Sequence, residues 1–222
     1  ATACGLVGNY LILRRMALVG DAISHSILPG IAVAFLLSGS RGSLPMFLGA
    51  LVAGAVTTVL IEVIHKKSRV KQDAAIGIAF TSLFAVGVIL ISVFASKVDL
   101  DQECVLYGEI AFIPLEGVVE LAGLKLGPPS VVRMAVVTLV VALLVGLFYK
   151  ELLVSSFDPA LSFSLGINST FVHYALMAML SVVVVSAFEA VGAILVIAML
   201  ILPGATATLL SLVVGIPLGT AV

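Results

Sequence analysis

The chain has 222 residues, 62% of them hydrophobic and 10% charged, with a formal net charge of −1. About a quarter of the residues of a soluble domain are charged, so this composition excludes a soluble globular fold and predicts a membrane protein with several spans. The 11 lysine and arginine residues are scattered along the chain, which excludes the concentrated basic face that a nucleic-acid partner requires.

Spanning helices need about 20 predominantly apolar residues, and seven candidate segments follow one another along the chain. They cover residues 1–13, 17–37, 46–64, 74–96, 132–149, 171–188 and 190–213. Only the region of Glu189 separates the last two, which requires a tight turn or a broken helix. An eighth segment begins near residue 216, and both chain ends fall in apolar stretches. We therefore expect an all-α polytopic bundle, a single transmembrane domain over 1–222 that is truncated at both ends.

Lysine and arginine concentrate in the cytoplasmic loops of membrane proteins, and this rule sets the orientation. The strongest cluster, His65–Lys71, is placed inside. Alternating the spans from there also places Arg14, Arg15 and Lys150 inside, which gives seven basic residues inside and four outside. The loop 150–170 is then predicted to be cytoplasmic.

The loop 97–131 falls outside in this orientation and contains half of the 12 acidic residues of the chain. A negative outer vestibule raises the local concentration of cations, although simple solvation of a loop explains the same residues. The semi-apolar stretch 105–119 predicts a short re-entrant or interfacial helix.

The cytoplasmic loop contains a short capped helix. Asp158 is a favourable N-cap with Pro159 at the first helical position, and Leu165-Gly166 is a typical helix stop. Such a helix either contacts a cytoplasmic partner or simply connects two spans, and the residues alone favour the connector.

Asp21 and His25 lie four positions apart and therefore on one face of the second segment. Ionisable side chains inside a membrane are costly, so they face a cavity, pair with each other or bind an ion. One interpretation is a buried hydrogen bond that fixes packing. The favoured one is metal or proton handling, because carboxylate oxygen and imidazole nitrogen form a half-site for Mn²⁺, Fe²⁺ or Zn²⁺ that lacks thiolates and can release its ion.

Other polar and helix-breaking residues have more than one interpretation. Glu189 is either an intramembrane carboxylate, and then a possible metal ligand, or a turn residue at the outer surface. Glu62 and His65 adjoin the lysine cluster and are interpreted as a solvated helix end, and His173 as a marker of the membrane interface. Pro203-Gly204 predicts a kink, where carbonyls freed from the helix can face a pathway.

Residues 13–30, with the sequence Leu-Arg-Arg-Met-Ala-Leu-Val-Gly-Asp-Ala-Ile-Ser-His-Ser-Ile-Leu-Pro-Gly, closely resemble the signature of the membrane subunit of bacterial ABC importers for manganese, zinc and iron. Further stretches resemble landmarks of this family in the same order, so the resemblance covers essentially the whole chain. These stretches are 72–77, 105–108, 156–159 with 165–166, 191–196 and 202–207.

The resemblance implies a permease of the type II ABC importer kind in the bacterial cytoplasmic (inner) membrane. Two permease subunits, identical or different, form the pathway. An extracytoplasmic binding protein delivers the metal, and two cytoplasmic ATP-binding subunits drive alternating access. The permease itself is then not an enzyme and holds no permanent cofactor, since the metal ion is its cargo. The acidic stretch 98–104 looks more like manganese-type relatives and favours manganese slightly.

By position, the resemblance implies that Asp21 and His25 bind the metal and that 158–166 is the coupling helix, which reverses the connector interpretation. The predicted coupling residues are Phe157, Asp158, Pro159 and Gly166. The predicted gating or kink positions are Pro29, Gly30, Pro203 and Gly204. The alternatives are an ion-coupled secondary carrier or channel, in which Asp21 and His25 relay protons, and an intramembrane metalloenzyme.

Overall fold

The computed structural model describes residues 1–39, 43–94, 120–121, 124–125 and 127–214. These residues form nine helices and one short hairpin. In chain order the elements are α1 (Thr2–Leu13), α2 (Leu18–Ser38), α3 (Ser43–Lys67), α4 (Gln72–Phe94), β1 (Glu120–Leu121), β2 (Leu124–Lys125), α5 (Pro129–Leu147), α6 (Tyr149–Phe157), α7 (Pro159–Ser164), α8 (Ser169–Val191) and α9 (Ala193–Val214).

The helices α2, α3, α4, α5, α8 and α9 are long and apolar enough to cross a membrane, and α1 is a shorter apolar helix. The prediction of an all-α, multi-pass membrane protein is confirmed, with the hairpin β1–β2 as a minor addition. The stretch 105–119, the acidic stretch 98–104 and the segment near 216 lie outside the described residues.

The last two spans are separated at Gly192, where φ is 78° and ψ is 168°. Glu189 therefore lies within the last helical turn of α8 and not in the connection between the two spans. A glycine suits this position because a positive φ is strained for other residues. The sequence did not predict α6, which follows α5 after a break at Phe148.

The centre of the bundle is formed by α2 and α8. In these two helices 56% and 50% of the best spanning window is buried, against 22% or less in the other spans. Fully buried side chains such as Ile23 and Ile27 in α2 and Leu180 and Val184 in α8 fill this centre. The other spans expose apolar faces, as expected for helices that contact lipid.

Small residues bring α2 and α3 into backbone contact. A Cβ atom on Gly30 would lie 2.5 Å from Cβ of Ala53, and closer still to the carbonyl oxygen of Gly49. A Cβ atom on Gly49 would in turn lie 2.5 Å from the carbonyl oxygen of Gly30. Such close approach is a main source of helix association in membranes, where burial of apolar surface provides little.

Contacts between distant segments show which helix ends share a side of the bundle. Arg14, after α1, donates a hydrogen bond to Ser155 in α6, and Lys66, near the end of α3, donates one to Tyr174 in α8. We call this the basic side, and it is the side that the sequence places in the cytoplasm. The Arg133–Glu189 ion pair joins α5 and α8 at the opposite side.

Replacing Gly30 with Val is expected to force α2 and α3 apart, because the added atoms meet the backbone of α3. Overpacking of this kind costs about 1–3 kcal/mol. Thermal unfolding of the detergent-purified protein measures the effect. The matched control is Gly146→Val in α5, where nothing lies within 4 Å of an added Cβ atom. An equal loss in both variants would show that the close approach does not matter.

Candidate functional site

Asp21 and His25 lie on one face of α2, near its basic-side end. Asp21 is in the first turn of the helix, and His25 lies about 10 Å from the helix start at the usual rise per residue. Nε2 of His25 is 3.4 Å from Oδ1 of Asp21. The side chains keep 26% and 38% of their exposure, respectively, so the predicted pair exists and both groups remain accessible from outside the single chain.

Aromatic rings of α4 border the imidazole of His25. The ring centroids of Phe80 and Phe84 lie 5.4 and 6.1 Å from it, the second in an edge-to-face arrangement. The neighbouring serines turn away from the pair, since Ser24 and Ser26 are buried and donate hydrogen bonds to carbonyls within α2. The rings restrict His25 to a few orientations and leave Asp21 and His25 as the polar groups of this face.

Pro29 lies inside α2, which continues as a helix to Ser38. Because proline has no N–H group, the carbonyl of His25 lacks its usual helical hydrogen-bond donor. A Cβ atom on Gly87 of α4 would lie 2.8 Å from Cδ of Pro29, so α4 packs tightly against the proline. The carbonyl oxygen that lacks a helical donor thus belongs to the residue that also carries the imidazole.

The pair is incomplete as a metal site within one subunit. Among the described residues, no group of three or more His, Cys, Asp or Glu side chains is placed to hold a metal ion. Zn²⁺ sites usually have four ligands, and ions preferring oxygen have more. Asp21 and His25 alone therefore fall short of a complete set of side-chain ligands for such an ion.

Glu189 lies apart from Asp21 and His25. Its carboxylate accepts a hydrogen bond from Arg133 at the start of α5, forming an ion pair at the opposite side of the bundle. The guanidinium carbon of Arg133 lies 4.9 Å from the ring centroid of Phe47 in α3. These contacts give Glu189 a role in holding three helices together.

The predicted coupling helix is present as α7 on the basic side. Oδ1 of Asp158 accepts hydrogen bonds from the N–H groups of Ala160 and Leu161, at 2.9 and 3.0 Å. At the other end, Gly166 has φ of 77°, and the N–H of Ile167 donates to the carbonyl of Ser162. The positive φ of Gly166 and this hydrogen bond form a Schellman motif, which agrees with the helix stop predicted at Leu165-Gly166.

Large apolar side chains on and beside α7 remain exposed. They are Phe157 at 49%, Leu161 at 49%, Phe163 at 84% and Leu165 at 60%. A short helix that is capped at both ends and exposes several such side chains has the character of a docking element.

The remaining predicted kink positions lie in α9, which continues through Pro203 to Val214. Cβ of Pro203 lies 3.5 Å from the position of a Cβ atom on Gly5, and a Cβ atom on Gly204 would lie 2.5 Å from Oδ1 of Asn9. Both residues therefore pack α9 against α1.

A polar cluster on the basic side was not predicted. Arg14 contacts Ser155, Ser156 and His173, and Glu62 contacts both His173 and Lys66. We call these six residues the basic-side cluster. The interpretation of Glu62 as a solvated helix end is wrong, because its carboxylate lies 3.2 Å from Nε2 of His173, whereas His65 is exposed as predicted. The signal available in the sequence is the Arg14-Arg15 pair between two apolar segments.

The sequence profile of the ABC 3 transport family matches residues 1–216. The chain belongs to this family. Among curated relatives it is 47% identical over 209 residues to the manganese transport system membrane protein MntD of Bacillus subtilis, covering 94% of this chain and 70% of MntD. It is 44% identical over 203 residues to the zinc transport system membrane protein TroD of Treponema pallidum, covering 91% of this chain and 55% of TroD.

A solved structure of PsaBC from Streptococcus pneumoniae, in complex with a Fab, has the same fold. The TM-score is 0.72 and the sequence identity 39%, over 93% of this chain and 68% of the other. The predicted resemblance to the ABC permease family is confirmed, and with it the permease type of helical bundle.

Replacing Asp158 with Ala removes the acceptor for two N–H groups of α7. Losing an N-cap of this kind costs about 1 kcal/mol of helix stability. Hydrogen exchange of the α7 amides is therefore expected to accelerate about fivefold. Asp158→Asn, which keeps a capping oxygen but removes the charge, is expected to leave exchange unchanged. Equal acceleration in both variants would mean that the charge, and not the cap, stabilises the helix.

Proposed function

We propose that this chain is the membrane subunit of an ATP-driven importer that moves a divalent transition metal ion into the cytoplasm. The observation that carries the proposal is the Asp21–His25 pair, two metal-type ligands on the most buried spanning helix that stay open on one side. An ion in transit needs a few exchangeable ligands, because a complete cage would retain it.

A second permease subunit supplies the other half of the site in this proposal. An Asp and a His from each of two subunits give four ligands, and the freed carbonyl of His25 adds an oxygen on each side. The partner is a second copy of this chain or a related permease. The ligand role that the sequence allows for Glu189 is not part of this site, because its carboxylate pairs with Arg133.

The cargo is manganese or zinc. MntD is named for manganese transport and TroD for zinc transport, and carboxylate with imidazole suits both ions. We favour manganese, the metal named for MntD and for the MntC protein of Listeria monocytogenes, which is 42% identical over 207 residues. Iron, which the Asp–His pair also suits, is the less favoured cargo.

Energy enters through α7 in this proposal. ATP-binding subunits dock on its exposed apolar side chains in the cytoplasm, hydrolyse ATP there and leave this chain without catalytic chemistry of its own. An extracytoplasmic binding protein delivers the ion at the opposite side. The chain is placed in the cytoplasmic membrane of a bacterium, with its basic side inward. A secondary carrier would have no use for a capped, apolar docking helix.

The test is uptake of Mn²⁺ and Zn²⁺ into vesicles that contain the complete transporter. Asp21→Ala and His25→Ala are each expected to reduce uptake by at least about tenfold, the loss typical when a metal ligand or its close support is removed. His65→Ala is the matched histidine control, because His65 is exposed at the end of α3. Removing ATP is expected to stop uptake in the unmodified transporter.

Two outcomes would contradict the proposal. Unchanged uptake in both Asp21→Ala and His25→Ala would exclude the pair as the metal site. Uptake that continues without ATP would instead favour an ion-coupled carrier, in which the same two residues relay protons.

A further inference from the structure

Arg14 occupies the connection between α1 and α2. The chain reverses there through Arg15, which has φ of 57°, and backbone hydrogen bonds from Arg14, Arg15 and Met16 to carbonyls of α1 brace the turn. Val19 in turn donates to the carbonyl of Met16. The connection that carries Arg14 is therefore hydrogen-bonded to the end of α1 on one side and to the first turn of α2 on the other.

The guanidinium of Arg14 binds the end of α6 at two points. Nη2 donates to Oγ of Ser155 at 2.6 Å, and Nε donates to Oγ of Ser156 at 3.1 Å. Ser156 also donates to the carbonyl of Leu152, which fixes its hydroxyl as an acceptor for Arg14. Asp158, the cap of α7, follows directly after α6, so this two-point contact joins the coupling helix to the α1–α2 turn.

The same guanidinium reaches α8 and α3. Nη1 of Arg14 lies 3.3 Å from Nδ1 of His173, and since a guanidinium only donates, Nδ1 is the acceptor and Nε2 carries the proton. Nε2 then donates to Oε2 of Glu62 at 3.2 Å, while Lys66 lies 2.7 Å from the other carboxylate oxygen. Every member of the basic-side cluster thus has a partner of suitable polarity.

The cluster is unsuited to holding the transported ion. Arg14 and Lys66 place positive charge on either side of the Glu62–His173 pair. The ring nitrogen of His173 that has no proton, Nδ1, already accepts a hydrogen bond from Arg14 and is not available to a metal ion. Burial lowers the pKa of the Arg14 guanidinium, yet a guanidinium stays protonated in proteins. Two members of the cluster, Glu62 and His173, also line a cavity of about 290 Å³.

We infer that Arg14 is a positioning residue that transmits the movement of the coupling helix to α2, and so to Asp21 and His25. The inference rests on the proposed function, since it assumes that ATP-binding subunits move α7. The two-point contact with Ser155 and Ser156 carries the movement, and His173 with Glu62 holds the guanidinium in the orientation that makes this contact.

The experiment uses the full-length permease, assembled in proteoliposomes with its partner permease, its ATP-binding subunits and Mn²⁺-loaded binding protein. Mn²⁺ imported per ATP hydrolysed is the main measurement. Arg14→Gln is expected to lower this ratio by about fivefold or more while ATP hydrolysis continues. Arg14→Lys keeps the charge but loses the planar guanidinium that contacts both serines, so its ratio is expected to lie between those of the unmodified protein and Arg14→Gln. The matched control is Arg15→Gln, because Arg15 is exposed.

A second comparison separates transmission from a purely structural role. The Ser155→Ala/Ser156→Ala variant is expected to lower the ratio as Arg14→Gln does, and combining all three changes is expected to lower it no further, because the three groups act as one unit. Mn²⁺ binding to the permease, measured by calorimetry, is expected to stay unchanged in each variant. Loss of folded protein would lower transport and ATP hydrolysis together and leave their ratio intact.

A wild-type ratio in Arg14→Gln, or additive effects of the serine and arginine changes, would overturn the inference. If Arg14→Gln does not assemble, the serine variant decides, since it removes no charge, and a wild-type ratio there overturns the inference. Failure of the unmodified assembly to import either Mn²⁺ or Zn²⁺ with ATP would overturn the proposed function together with this inference. Normal import by that assembly, with unchanged ratios in the variants, overturns the inference alone.

Discussion

The position of α2 depends on close backbone contact with its neighbours. Within lipid, burying apolar side chains provides little net attraction between helices, so association depends on packing at small residues. Gly30 and Gly49 bring α2 against α3, and Gly87 accepts the ring of Pro29 from α2 against α4. Because these contacts involve backbone atoms, they fix both the distance and the rotation of α2. The positions of the two candidate ligands, Asp21 and His25, are therefore set by packing at glycines and not by the ligands themselves.

The exposure of Asp21 and His25 is as important to the candidate site as the fixed position of α2. Asp21 and His25 are held on a buried helix, yet their side chains keep a third or a quarter of their exposure, respectively, in the single chain. A pair of ligands binds an ion weakly by itself, and completing the shell requires a second set. In the proposed importer these are two separate tasks: packing fixes the positions of Asp21 and His25, and assembly with a second permease subunit completes the ligand set.

Local patterns could be predicted from the sequence, and long-range pairs could not. Asp21 with His25, and the helix ends at Asp158 and Gly166, depend only on positions a few residues apart, so periodicity and capping rules suffice. Besides Lys66, which is four positions away, Glu62 pairs with His173 at a distance of 111 positions, and Glu189 pairs with Arg133 at a distance of 56 positions. Nothing in a helical period specifies such pairs, because they depend on which helices pack together. For that reason the sequence places Glu62 in solvent and does not predict the pairing of Glu189 with Arg133.

The left-handed turn at Arg15 has a consequence for the direction in which α2 presents its residues. Each residue of a helix rotates the next by about 100°, so the length of the connection after Arg14 sets the rotational phase of everything that follows. One residue more or fewer between Arg14 and Leu18 would rotate Asp21 and His25 together by about 100°, away from the rings of Phe80 and Phe84 in α4. The length of this connection therefore determines the face of α2 on which both side chains lie relative to the neighbouring helices.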